Sequence, residues 1–168
     1  DADSVGVPGP AADAEIIMLA CDALEAIGIQ RGEYNLKINT RRALNAVLAQ
    51  VSSIGSESEA ERNGTILRAI DKLDRLGIEG VTALLGEGRL DESGDFTKGA
   101  GLDAASIDRV SAFVSAGQSD NDATVIALEK AVGNTDAGSE ALREIKAITS
   151  IMERCGYGGD RAAIAPSI

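Results

Sequence analysis

The sequence predicts an α+β fold that is mainly α. Three observations carry this. Apolar residues recur at helical spacing through most of the 168 residues. Only two short stretches alternate or run apolar as strands do, around Tyr34–Asn39 and Ala162–Ala165. The apolar fraction is 44% with 26% charged residues, a globular rather than a disordered composition.

The elements follow in order. Asp1 to Val5 is read as the end of a strand, and Gly6 to Pro10 as a loop. Asp13 precedes Ile16, Ala20, Leu24 and Ile27, which predict an amphipathic helix stopped at Gly28. Acidic Asp13 and Glu15 suit its positive N-terminal end. Tyr34, Leu36 and Ile38 alternate with Asn35, Lys37 and Asn39, a half-buried strand. Asn39 or Thr40 then caps a helix bearing Leu44, Val47, Leu48 and Val51. Residues 51–64, VSSIGSESEAERNG, read as a linker.

Beyond it the pattern is helical. Ile66, Ile70 and Leu73 share one face; Val81, Leu84 and Leu85 mark a second helix. Residues 86–101 hold glycines and no apolar period, and predict a long loop. Ile107, Val110 and Val114 form a third helix with Asp103 as its cap. Val125, Leu128 and Val132 form a fourth, after Asp120 or Asp122. Gly133 to Gly138 breaks the chain. Leu142, Ile145, Ile148 and Met152 then give the longest late face, ended by Gly156. Ala162 to Ala165 reads as a strand entering a structure that the chain does not continue.

Composition excludes several chemistries. Sixteen Lys and Arg against 27 Asp and Glu give a net charge of −11, so a polyanion could be held only by a local basic patch. Histidine is absent, which removes His-based triads and His-ligated metal sites from this chain. Aromatics are 2%, too few for base-stacking platforms. Cys21 and Cys155 read as small buried apolar residues rather than a metal or redox pair. Asn63 heads a glycosylation sequon that reads as chance in a chain with no secretory leader. There is no run long enough to span a membrane, and the chain reads as cytoplasmic.

Three features could carry chemistry. Asp1 and Asp3, two apart on a strand-like segment, would share a face and could hold a cationic ligand or a proton. The glycine-rich 86–101 stretch lacks the spacing of a phosphate loop or a calcium loop. Arg68, Lys72 and Arg75, four and three apart, would share one side of one helix, with Asp71 and Asp74 between them. Arg31, Lys37, Arg41 and Arg42 form a second positive stretch opposed only by Glu33. Either could be an ordinary charged face or a patch that positions phosphates without reading bases.

Four segments resemble a known family. DADSVGVPGPAADAEIIMLACDALEAIGI resembles the stretch directly after motif 2 of class II histidyl-tRNA synthetases, where a strand with a Q-x-x-x-[DE]-x-x-G pattern leads into a helix opening D-A-E. EYNLKINTRRALNAVL resembles the next strand and helix, with a polar Asn-x-Arg turn. LRAIDKLDRLGIEGVTALLGEGRLDESGDFTKGAGL is similar to the insertion of alphaproteobacterial members. ALREIKAITSIMERCGYGGDRAAIAPSI resembles the helix and strand leading to the histidine-specific R-G-L-x-Y-Y motif.

This resemblance implies residues 1–52 and 136–168 in a mixed catalytic domain, and residues 55–134 as a helical insertion domain over the tRNA acceptor end. It implies ATP-dependent charging of tRNA(His) with histidine through a histidyl-adenylate, with Mg2+, in a homodimer without a membrane. Asp3 would contact histidine, with one methylene less reach than the Glu of many members. Gly6 would let the backbone approach the pocket. Arg68, Lys72 and Arg75 would contact tRNA. The family's catalytic arginines match no position here, so this segment alone is expected to be inactive and to hold no cofactor. The Asp1 start and Ile168 stop read as those of a cut piece. Two other readings remain: the synthetase-like regulatory subunit of ATP phosphoribosyltransferase, which generally lacks the insertion, and a helical interaction module without activity.

Overall fold

In the computed structural model the described residues are 2–51, 58–91, 93–118, 120–133 and 135–167. Their elements run α1 (Pro10–Ala26), β1 (Leu36–Ile38), α2 (Arg41–Leu48), α3 (Glu59–Ile70), α4 (Leu73–Leu85), β2 (Gly88–Leu90), β3 (Phe96–Lys98), α5 (Ala104–Val114), α6 (Asn121–Val132), α7 (Asp136–Arg154) and β4 (Ala162–Ile164). The α+β, mainly helical class holds.

Strands β1 and β4 pair in parallel, Leu36 with Ala162 and Ile38 with Ile164. Two apolar clusters organise the chain. The larger joins α2 to α7 around Phe113, Ile66, Val47 and Leu128. The smaller joins Ala14 of α1, Ile38 of β1, Ala162 of β4, and Ile148 and Met152 of α7. Helix α7 is the spine common to both: Ala141, Leu142 and Ile145 serve the first cluster, Ile148 and Met152 the second. The 3.6-residue period places all five on one side of the helix.

The helices start where short polar side chains accept the unpaired first-turn amides. Asp103 accepts from Ser106, Asp120 from Ala123 and Thr135 from Gly138. The first two match the sequence expectation. Helix α1 instead starts at Pro10, where fixed φ suits the first turn, and Asp13 lies inside that turn.

Several expectations are corrected. Ala2 to Val5 form no strand, because no neighbour supplies ladder hydrogen bonds; Asp1 lies outside the described residues. The buried side of α1 is Ala14 and Cys21, while Ile16, Leu19 and Ile27 are exposed. The helix is apolar on more than one side, so hydrophobic spacing alone chose the wrong one. Helix α3 starts inside the supposed linker, at Glu59, through a capping box: Glu61 N–H donates to Ser58 Oγ at 3.3 Å and Ser58 N–H to Glu61 Oε2 at 3.1 Å. The remaining linker positions 52–57 lie outside the described residues. Leu73 does not continue the α3 face, since it begins α4. The supposed 86–101 loop contains the antiparallel hairpin β2–β3, Arg89 opposite Thr97. Cys155 is exposed, because it sits at the C-terminal cap of α7.

The capping box gives a direct prediction. Ser58→Ala should lower unfolding free energy by about 1 kcal/mol, read from urea melts followed by circular dichroism. Bonds from Ser58 hold the Glu61 carboxyl below its ordinary value. The box therefore contributes above the unfolded glutamate pKa and is lost as pH falls through the lowered one, so the deficit should narrow in acid.

Candidate functional site: a basic groove between an elbow and a hairpin

Helix α3 ends at Ile70, and Lys72 is already the N-cap of α4. Arg68, Lys72 and Arg75 therefore do not share one helix; they ring an elbow. The expectation failed because Lys72 leaves helical geometry, at φ −93° and ψ 4°. A second bend follows at Gly77, φ 64° and ψ 178°, a conformation essentially reserved for glycine. Arg75 thus lies on a short turn between two breaks.

The hairpin closes on this elbow. Arg68, Lys72 and Lys98 line one notch of about 140 Å³, over Ala69 and Leu84, with Thr65 and Thr97 at its sides. Arg75 and Arg89 line a second cavity, of about 370 Å³, with Leu76, Asp91 and Ser93. Sequence reading missed Arg89 and Lys98. The only signal was a cation on each side of an Asp-rich turn, without the apolar alternation that marks strands.

The geometry fixes several of these groups. Arg68 Nη2 donates to Thr65 Oγ1 at 3.1 Å, while Thr65 donates to the Glu61 carbonyl at 3.1 Å. Asp91 is used by its own turn: it accepts from Ser93 N–H at 3.0 Å, Ser93 Oγ–H at 2.6 Å and Asp95 N–H at 2.9 Å. These bonds, the Ser93 hydroxyl foremost, hold its carboxyl below the ordinary value.

The second basic stretch behaves differently. Lys37, Arg41 and Arg42 border a cleft of about 530 Å³ floored by Ile16, Ile17, Ile38, Ile145 and Ile148. Glu33 is not their only opponent. Arg42 lies 3.6 Å from both Glu140 and Glu144 of α7, and Arg31 pairs with Asp160. That pairing holds Asp160 below its ordinary value. The acids arrive from distant sequence, so no local charge count could find them.

A polar latch closes the far end of α1. Glu25 accepts from Tyr34 Oη at 2.6 Å and from Arg161 Nη2 at 2.9 Å; Asp22 accepts from Tyr157 Oη at 2.7 Å. Arg161 also stacks over the Tyr157 ring at 4.6 Å. Burial, then the bond to Glu25, raises the Tyr34 phenol pKa. The latch reads as structural: both tyrosine hydroxyls and the Arg161 Nη2 are answered by acids of α1, while the Arg161 Nε is buried without a hydrogen-bond partner.

Asp3 and Gly6 lie on the exposed N-terminal segment, Gly6 with φ 77°. Neither borders the cleft or the groove. Among the described residues no three His, Cys, Asp or Glu side chains stand close enough to hold a metal ion. Nor, among them, is any helix long and apolar enough to cross a membrane.

No family model matches the chain. Curated sequences do, and all 168 residues are similar to aminoacyl-tRNA synthetases. More particularly, the similarity is to histidine–tRNA ligases: 50% identity with that of Jannaschia sp. (strain CCS1), 49% with that of Rhizobium leguminosarum bv. trifolii (strain WSM2304), and 44% with that of Roseobacter denitrificans (strain ATCC 33942 / OCh 114). The match covers 100% of this chain and 33%, 32% and 36% of those proteins, so the chain spans about a third of their length.

Proposed function

We propose that the chain is the portion of a histidine–tRNA ligase adjoining its histidine pocket and reaching toward tRNA. The observation that carries this is the 44–50% identity sustained across all 168 residues. The parent enzyme would couple ATP cleavage to formation of a histidyl-adenylate and pass histidine to tRNA(His), as a cytoplasmic homodimer. ATP would bring Mg2+ with it. The described residues supply no three-ligand site for that ion.

Within this reading, residues 1–52 and 136–168 belong to the catalytic domain and residues 55–134 form the insertion. The boundaries at 52, 55 and 134 fall outside the described residues. The division follows the course of the chain rather than separate cores, since α2 and α7 pack with α3 to α6. The Asp3 carboxylate would accept an imidazole N–H and orient the ring, a contact that rejects apolar near-isosteres. Gly6, with no Cβ and open space around it, would let the pocket backbone approach. Arg68, Lys72 and Arg75 would hold tRNA phosphates.

A chimera tests this. The matching segment of the Jannaschia ligase is replaced by these 168 residues, and charging of tRNA(His) is measured. The chimera should charge histidine. Asp3→Ala in it should raise the histidine KM roughly tenfold or more, the scale of one lost charge-assisted hydrogen bond, and leave the ATP KM near its starting value. A folded chimera without charging activity would overturn the proposal.

A further inference from the structure

We propose that the corner between α5 and α6 clasps strand β4 through one side chain, that of Asn121, and that this clasp is the point at which the helices and the β1–β4 pair are held together or part. In the reading above, the corner belongs to the insertion and β4 to the catalytic domain. Asn121 is then where the position of one is passed to the other.

The two edges of β4 are answered differently. On one edge stands β1: Leu36 N–H donates to the Arg161 carbonyl and Ala165 N–H to the Ile38 carbonyl, each at 2.8 Å. Asn39 Nδ2 extends that side to the Pro166 carbonyl at 3.3 Å. On the other edge, among the described residues, no strand pairs with β4. The Asn121 side chain fills the place, with Nδ2 donating to the Ala162 carbonyl at 3.2 Å and Oδ1 accepting from Ile164 N–H at 2.9 Å. A side-chain amide carries the donor and acceptor of a peptide group, so one residue can imitate one step of a ladder.

The corner holds that side chain still. Asp120 caps α6 by accepting from Ala123 N–H at 2.7 Å. Thr124 is buried; its hydroxyl accepts from Gln118 N–H at 2.9 Å and donates to the Asp120 carbonyl at 2.9 Å. Two of the four buried polar residues among the described ones, Asn121 and Thr124, therefore stand in this single turn, and the hydrogen bonds to β4 and Gln118 offset their burial. Packing makes the joint consequential. Ile164 sits in the larger apolar cluster and Ala162 in the smaller, so β4, like α7, belongs to both. Helix α7 joins the clusters through unbroken backbone; β4 meets α6 through one side chain. Swinging the corner away from the sheet breaks both Asn121 bonds together and frees the Ile164 amide, while the Ala165 amide stays bonded to β1.

The test is amide hydrogen exchange of the 168-residue chain, followed by NMR and read as the rate at Ile164 relative to that at Ala165. The ratio cancels any loss of stability that both amides share. Asn121→Ala should raise it roughly tenfold or more, the scale of a lost buried hydrogen bond. Thr124→Val leaves both Asn121 bonds in place but strands Gln118 N–H, and should raise the ratio roughly threefold or more by loosening the corner. The double variant should match Asn121→Ala alone, because the clasp is already open. An unchanged ratio in Asn121→Ala would mean that Asn121 only stabilises the fold as a whole, and would overturn the clasp. Ratios that multiply in the double variant would leave an edge cap indifferent to its corner, and would overturn it too. If Asn121→Ala does not fold, Thr124→Val decides alone, and an unchanged ratio there overturns the proposal. None of these outcomes needs charging activity, so failure of the clasp and failure of the proposed function are read separately.

Discussion

Phe113→Ala should lower the unfolding free energy by about 3–5 kcal/mol. A domain of this size holds only about 5–15 kcal/mol in all, so much of the folded population is at stake. Phe113 is 0% exposed and sits in the larger cluster, where α5 meets α2, α4 and α6. Removing its ring deletes apolar burial and leaves a cavity that α2 to α7 cannot all close upon together. The other phenylalanine is an internal control. Phe96 is 61% exposed on the hairpin, and Phe96→Ala should stay within about 0.5 kcal/mol. Urea melts followed by circular dichroism measure both. A Phe113→Ala cost under about 1 kcal/mol would show that the cluster is not one cooperative core.

The same contrast explains which parts of the fold the amino-acid sequence discloses. Helices α5 and α6 were legible because their caps, Asp103 and Asp120, stand directly before apolar faces at helical spacing. Strands β1 and β4 were legible because each keeps apolar residues against a core. The hairpin was not. Its strands are three residues long, and Leu90 and Phe96, which pair across it, are 63% and 61% exposed. No apolar alternation exists there to be read; turn geometry and packing on α4 hold it.

The candidate site was therefore half visible. Arg68, Lys72 and Arg75 could be grouped by spacing because they are close in sequence. Their arrangement around an elbow, and the arrival of Arg89 and Lys98, depend on Gly77 and on the hairpin's seating. Cys155 and α1 err for a related reason: apolar character predicts burial only where a neighbour is present, and neighbours are set by tertiary packing.

Asn121 is the residue whose role spacing hides most completely, and its replacement should rank beside that of Phe113. It is the first residue of α6, directly after the Asp120 cap. It is in fact 7% exposed and takes the place of a missing strand beside β4. Its Nδ2 donates to the Ala162 carbonyl at 3.2 Å, and its Oδ1 accepts from Ile164 N–H at 2.9 Å. Those two groups face away from β1, whose own bonds to this segment run from Leu36 N–H to the Arg161 carbonyl and to the Ile38 carbonyl from Ala165 N–H. Asn121→Ala strands one buried donor and one buried acceptor and should cost about 2–4 kcal/mol. Asn121→Asp gives a sharper signature. At neutral pH the ionised carboxylate cannot donate, and it meets the Ala162 carbonyl oxygen with like polarity in a buried position. Burial raises its folded pKa above the unfolded value near 3.9. Between those two values the folded state binds more protons than the unfolded one, so stability falls as pH rises. Protonated, the new carboxyl can donate to Ala162 and accept from Ile164, as the amide does. The deficit of Asn121→Asp against the parent chain should therefore be largest at neutral pH and shrink on acidification, while that of Asn121→Ala stays flat. Parallel urea melts across that range decide it; equal pH dependence in the two variants would remove Asn121 from the edge of β4.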